Sequence, residues 1–215
     1  MEANTILYGQ STPEFESDHK GLMLEYKYAL SDQWSFIAGA RQDEETLSQK
    51  LNSSRLAVIY SPTDRWVHKL MKAHSIRNPV ADELYQVKLQ RGGADKSESL
   101  DSVEYIVNYQ HSDALHFDVS TYWYELDAVS FDGKNGFINK TGLQELVGLE
   151  FEVASQSNRL DWYLSYAFNN LVNFTTDDEI LNQGLTAAPT GFGTDLANWY
   201  KHSVKLRGSY VVNSA

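Results

Sequence analysis

Cysteine is missing altogether from the 215 residues, which removes disulfide staples, thiolate metal sites and cysteine nucleophiles. Long apolar runs are missing too, and none approaches the roughly 18–20 residues of a membrane-crossing helix. Positive charge is in short supply: 18 Lys+Arg stand against 29 Asp+Glu, a formal net charge of −11. That balance speaks against nucleic acid as a partner, because neutralising phosphates takes clustered Lys and Arg. The opening Met1-Glu2-Ala3-Asn4-Thr5 has neither the basic nor the apolar region of a signal peptide, so none is expected. Aromatics, in contrast, are abundant, with thirteen Tyr, nine Phe and five Trp, and such a chain is not a disordered one. One membrane class survives these exclusions. A transmembrane β-barrel crosses by alternation and leaves no long apolar run.

Alternation recurs along the chain. Leu22, Leu24, Tyr26, Tyr28 and Leu30 oppose Met23, Glu25, Lys27 and Ala29. A strand sends successive side chains to opposite faces, so one face here is apolar and the other largely polar. The same holds for Trp34, Phe36, Ala38 and Ala40, then for Leu56, Val58 and Tyr60. It returns at Val103, Tyr105, Val107 and Tyr109, at Leu115, Phe117, Val119 and Trp123, and at Val147, Leu149, Phe151 and Val153. Trp162, Leu164, Tyr166 and Phe168, and finally Val204, Leu206 and Tyr210, complete the set. Residues 66–73 alternate less cleanly, which points to a bulge or to a face covered by other protein. No helical period competes.

The connections alternate as well. Ser31–Gln33, Pro62–Arg65, His111–Ala114 and Ser155–Arg159 are short and turn-rich. Between them lie longer links at about 43–52, 74–97, 128–142 and 169–198. Short turns therefore gather at one sheet edge and long loops at the other, the asymmetry of outer-membrane barrels. Tyr28, Trp34, Tyr60, Trp66, Tyr109 and Trp162 lie near the short turns, where an interfacial girdle of amphipathic rings is expected.

Little here suggests covalent chemistry. The six histidines (His19, His68, His74, His111, His116 and His202) match no zinc spacing and read as surface or lumen groups. No nucleophile elbow, P-loop or dinucleotide fingerprint occurs, so neither an enzyme nor a cofactor is expected. Asp177-Asp178-Glu179 reads as a solvated run of acids in a loop. The polar strand faces carry Arg41, Arg55, Lys69, Glu104, Asp118, Glu150, Glu152, Lys205 and Arg207. Charges of both signs suit a hydrated barrel lumen and not a lipid face.

Several segments resemble one family. Ser54 to Trp66 (S-R-L-A-V-I-Y-S-P-T-D-R-W) is similar to the S-x-R-L-A-x-x-Y-x-P-T-D-x-W run of TonB-dependent outer-membrane receptors. Ala73 to Tyr85 resembles their R-x-P-x-x-x-E-L-Y segment, and Glu98 to Glu104 a P-E-x-x-x-S-x-E segment with Ser97 in place of proline. Gly148-Leu149-Glu150-Phe151-Glu152 is like the family's G-x-E-x-E strand, and Tyr200-Lys201-His202 like the entry to a late strand. The resemblance spans about residues 20–212.

It implies an all-β fold, an antiparallel transmembrane barrel segment with nine or ten strands of a barrel of about 22. It implies one domain over 1–215 without a plug, an internal portion of the C-terminal half of a barrel. The function implied is uptake of a scarce nutrient, most often a ferric siderophore, in the cell outer membrane. The partners implied are outer-membrane lipid, the remaining strands, the plug, TonB–ExbB–ExbD through that plug, and an iron chelate. Ligand contact is expected from the long loops, at His74, Arg77, Tyr85 and Arg91 on one and Phe174 and Phe192 on another. A free-standing ten-stranded pore or adhesin, and a soluble carbohydrate-binding module or barrel enzyme, are the alternatives.

Overall fold

The computed structural model describes residues 2–3, 15–16, 18–45, 50–77, 97–132, 136–175 and 200–212, with side chains described there except at 2–3, 15–16, 45 and 128–142. Two short strands, β1 (Glu2–Ala3) and β2 (Phe15–Glu16), pair with each other. One sheet holds β3 (His19–Ala29), β4 (Trp34–Glu45), β5 (Leu51–Thr63), β6 (Trp66–Arg77) and β7 (Glu98–Ser112). It continues through β8 (Leu115–Asp132), β9 (Gly136–Gln156), β10 (Leu160–Thr175) and β11 (His202–Tyr210). Each strand pairs antiparallel with its sequence neighbour, so the sheet is a nine-stranded meander ending at β3 and β11.

Each short turn is tied by a hydroxyl. Ser31 Oγ accepts from the Trp34 backbone N–H at 3.2 Å, Thr63 Oγ1 from Arg65 at 3.3 Å, and Ser112 Oγ from Ala114 at 3.3 Å. Ser157 Oγ accepts from the Leu160 N–H at 3.0 Å. Ser and Thr serve here because a short hydroxyl mimics a backbone acceptor within a turn.

Two expectations change. Parts of the links 43–52, 74–97, 128–142 and 169–198 are strand: β4 runs to Glu45, β6 to Arg77 (so His74 and Arg77 are strand and not loop residues), β8 to Asp132 and β10 to Thr175, while β9 starts at Gly136. Ladder hydrogen bonds are made by backbone, so pairing continues beyond the region where one face must be apolar. Strand β6 proves regular along its whole pairing with β7, from Trp66 to Arg77. The shift lies at its turn, between Tyr60 and Thr63.

Register carries the alternation across the sheet. Trp34 pairs with Tyr60, and the row continues through His68, Val107, Val119, Phe151 and Tyr166 to Val204. Paired residues share a face, so every apolar series above falls on one side. Trp34 opens its strand, whereas Tyr166, in the same row, lies well inside β10. The turns therefore slide along the rows from strand to strand, as they do when strands tilt in a barrel wall.

Glycine opens the polar face where a larger side chain crosses it. A Cβ at Gly148 would fall inside the ring of Tyr122, which lies over it and donates its hydroxyl proton to Asn169 Oδ1. Gly148→Ala should displace that ring and cost about 1–3 kcal/mol. The check is the urea midpoint of the membrane-folded protein, with Tyr122→Ala in the same chain recovering part of the loss.

Candidate functional site

Burial on the two faces runs opposite to a soluble protein. Among the described apolar residues only Leu51, Ala57, Leu146, Val153 and Leu171 are buried, and all but Val153 lie on the polar face. The apolar face is open: Leu24 is 74% exposed, Leu56 59% and Leu206 77%. A contiguous apolar surface of this extent is tolerated when lipid covers it.

At the turn edge that face bears a belt of rings. Trp34 stacks on Tyr60 at 4.3 Å between ring centroids and Trp66 on Tyr109 at 4.2 Å. His68 joins the two pairs, 6.0 Å from Tyr60 and 5.8 Å from Trp66, with Nδ1 2.9 Å from the Tyr105 hydroxyl. His68, expected as a surface or lumen group, lies by register among the girdle rings. Its even position beside Trp66 was the available signal.

Arg41, Arg55, Lys69, Glu104, Asp118, Glu150, Glu152, Lys205 and Arg207 all fall on the opposite, polar face by register. Their charges are sorted by sector. On β3–β6 the described side chains of this face include Lys27, Arg41, Arg55, Lys69 and Arg77 against Glu25 and Asp43. On β7–β10 the same face carries Glu98, Glu104, Asp118, Glu150, Glu152 and Asp161, and no Lys or Arg is placed with them up to the Asp127–Leu143 pair. Cations return on β11 with Lys205 and Arg207.

The cationic sector is held in shape by ion pairs over glycine. Arg55 crosses Gly39 and pairs with Glu25, which also takes Lys27 Nζ at 3.3 Å. Arg41 grips Asp43 with two donors, Nε at 2.6 Å and one Nη at 2.8 Å, and His19 Nε2 lies 3.1 Å from the same carboxylate. In the acidic sector, Asn108 donates to Asp118, and the Tyr163 hydroxyl donates to Glu152 at 2.5 Å.

At the loop edge, Arg77 and Glu98 pair at 2.5 Å on the polar face. His74 stands on the other face, 3.0 Å from Asp101, so the two expected ligand residues of β6 are not brought together. Tyr85, Arg91, Phe192 and Asp177–Glu179 lie outside the described residues.

A tilted antiparallel meander with a bare apolar face, a ring girdle at its short turns and a charged inner face defines a section of an outer-membrane β-barrel wall. The chain belongs to the family of TonB dependent receptor-like β-barrels, whose family model matches residues 2–214. Solved structures with the same fold include the ferric citrate transporter FecA in its unliganded form, with a TM-score of 0.66 and 16% identity over 93% of this chain and 32% of that one. The FrpB iron transporter from Neisseria meningitidis (F3-3 variant) has a TM-score of 0.60 and 17% identity over 76% of this chain and 27% of its own. The copper transporter OprC has a TM-score of 0.60 and 13% identity over 99% and 43%. This chain thus spans between about a quarter and two-fifths of those structures. No curated protein matches it. Family membership places it in the outer membrane.

Proposed function

We propose that this chain forms a wall section of a TonB-dependent uptake receptor for a metal chelate, a ferric siderophore or a related complex. The observation that carries this reading is the sorted charge of the inner face. Five of the acids of the acidic sector, Glu98 being paired with Arg77, have no Lys or Arg among the described side chains of β7–β10, and they repel one another across the inner face. A plug presenting cationic groups against β7–β10 relieves that repulsion, and TonB–ExbB–ExbD would then act through the plug. The names of FecA, FrpB and OprC, which describe ferric citrate, iron and copper transporters, support metal-chelate cargo. Ligand capture falls to the loop edge, where Arg77 leads into the segment containing Tyr85 and Arg91.

Two measurements test this. Cells with and without the gene, starved of iron, are given labelled iron as polycarboxylate, hydroxamate and catecholate chelates. Loss of uptake of one chelate supports the reading, and equal uptake of all three in both strains contradicts it. Glu104→Lys with Glu150→Lys should loosen the plug while the barrel still assembles. The expected sign is several-fold greater sensitivity to antibiotics too large for ordinary porins.

A further inference from the structure

The cationic sector holds a hollow that reaches up to His74 and Ser75 near the loop edge. Gly39, Ser53, Ala73, Arg41, Arg55 and Glu25 are among its lining residues, around a volume of ≈ 330 Å³. By register it lies level with Ala40, Ser54 and His74, where the outward face passes from apolar to polar. That is the outer end of the membrane-spanning wall, the side from which a ligand arrives.

Its electrostatics favour an anion. Lys27, Arg41 and Arg55 share two carboxylates, Glu25 and Asp43, which leaves positive charge in excess among these side chains. Both guanidiniums remain about half exposed, with side-chain exposures of 51% and 55%. Arg41 spends two of its five N–H donors on Asp43, so others remain for a ligand. A guanidinium already fixed by a carboxylate loses little further freedom when it binds an oxyanion. The acidic sector of β7–β10 repels the same ligand and so directs it to β3–β6.

We propose that this hollow is a subsite for a compact chelate bearing free carboxylates, held by Arg41 and Arg55. The proposal rests on the uptake reading above and names the ligand class within it. At about 300 Å³ and upward, such a volume suits a small ligand or one arm of a larger one.

The test uses outer membranes carrying the full protein, with radiolabelled ferric citrate as the anionic probe and a neutral ferric trihydroxamate as the comparison. Ala73→Phe narrows the hollow from the position opposite Arg55, leaves every charged residue in place and should weaken ferric citrate binding at least tenfold. Arg41→Gln combined with Arg55→Gln removes both cations from the lining and should weaken it similarly. Equal surface abundance and an unchanged heat-modifiable band confirm that each variant is assembled. Ferric citrate binding that survives both substitutions overturns the subsite while leaving the uptake reading intact. Preference of the parent protein for the neutral trihydroxamate overturns the ligand class. Failure of the parent to bind either chelate, with no other iron chelate taken up, overturns the uptake reading itself.

Discussion

Arginine at Val107 is expected to destabilise the membrane-folded protein by about 2–4 kcal/mol, whereas arginine one residue along, at Asn108, should cost far less. Val107 sits mid-strand on the exposed apolar face, between His68 and Val119 in its row. A guanidinium there must stay in hydrocarbon or drag water and headgroups inward. Asn108 faces the other way, beside Asp118, where an added cation meets an acid. Leu24→Arg should cost less than Val107→Arg, since Leu24 shares the row of Ala40, Ser54 and His74 at the outer end of the apolar face. Urea-dependent unfolding from liposomes, with the chain assembled together with its complementary strands, gives the comparison directly. Similar midpoints for the 107 and 108 variants contradict the assignment of faces.

The second large effect concerns the sheet edges. Among the described strands, β3 and β11 each have one unpaired side, and a bilayer offers no water to satisfy those N–H and C=O groups. Both strands run from the loop edge to the turn edge. Closing them on each other, or on a second copy in the same membrane orientation, would place a parallel pair in an otherwise antiparallel wall. An odd number of further antiparallel strands closes the wall without that pair. The polypeptide of 215 residues refolded alone in detergent is therefore expected to give heterogeneous oligomers or aggregates, rescued by co-expression with the complementary strands. A homogeneous, heat-modifiable monomer is the opposite outcome and would support the small closed barrel.

Much of this architecture is legible in the sequence because lipid imposes a rule on side chains. Leu24, Val107 and Leu206 must face hydrocarbon, so they mark their strands and their face. The upper parts of β8 and β9 obey no such rule. Their pairing, for example Ala128 with Gly142, is a backbone matter, and hydropathy leaves no trace of it. Register explains the other gaps. That Tyr122 lies over Gly148, or that Arg55 reaches Glu25 across Gly39, depends on which residues stand opposite, and no single strand states that. The sorting of charge into two sectors was hidden for the same reason: Arg41 and Glu150 both read as lumen groups, but their separation around the wall needs the order of the strands. His68 is a further case: a polar residue in a strand of unclear alternation, which register sets on the apolar side among Tyr60, Trp66 and Tyr105.

The absence of native cysteine makes the central claim open to one direct measurement. Single cysteines are placed in turn from Val103 to Gln110 along β7, and each variant is exposed in intact outer membranes to a water-soluble maleimide. Positions 103, 105, 107 and 109 should stay unlabelled while 104, 106, 108 and 110 react, a strict period of two with the odd positions in lipid. Uniform labelling along the strand, or reaction at the odd positions with protection at the even ones, would contradict a barrel wall whose apolar face meets the membrane.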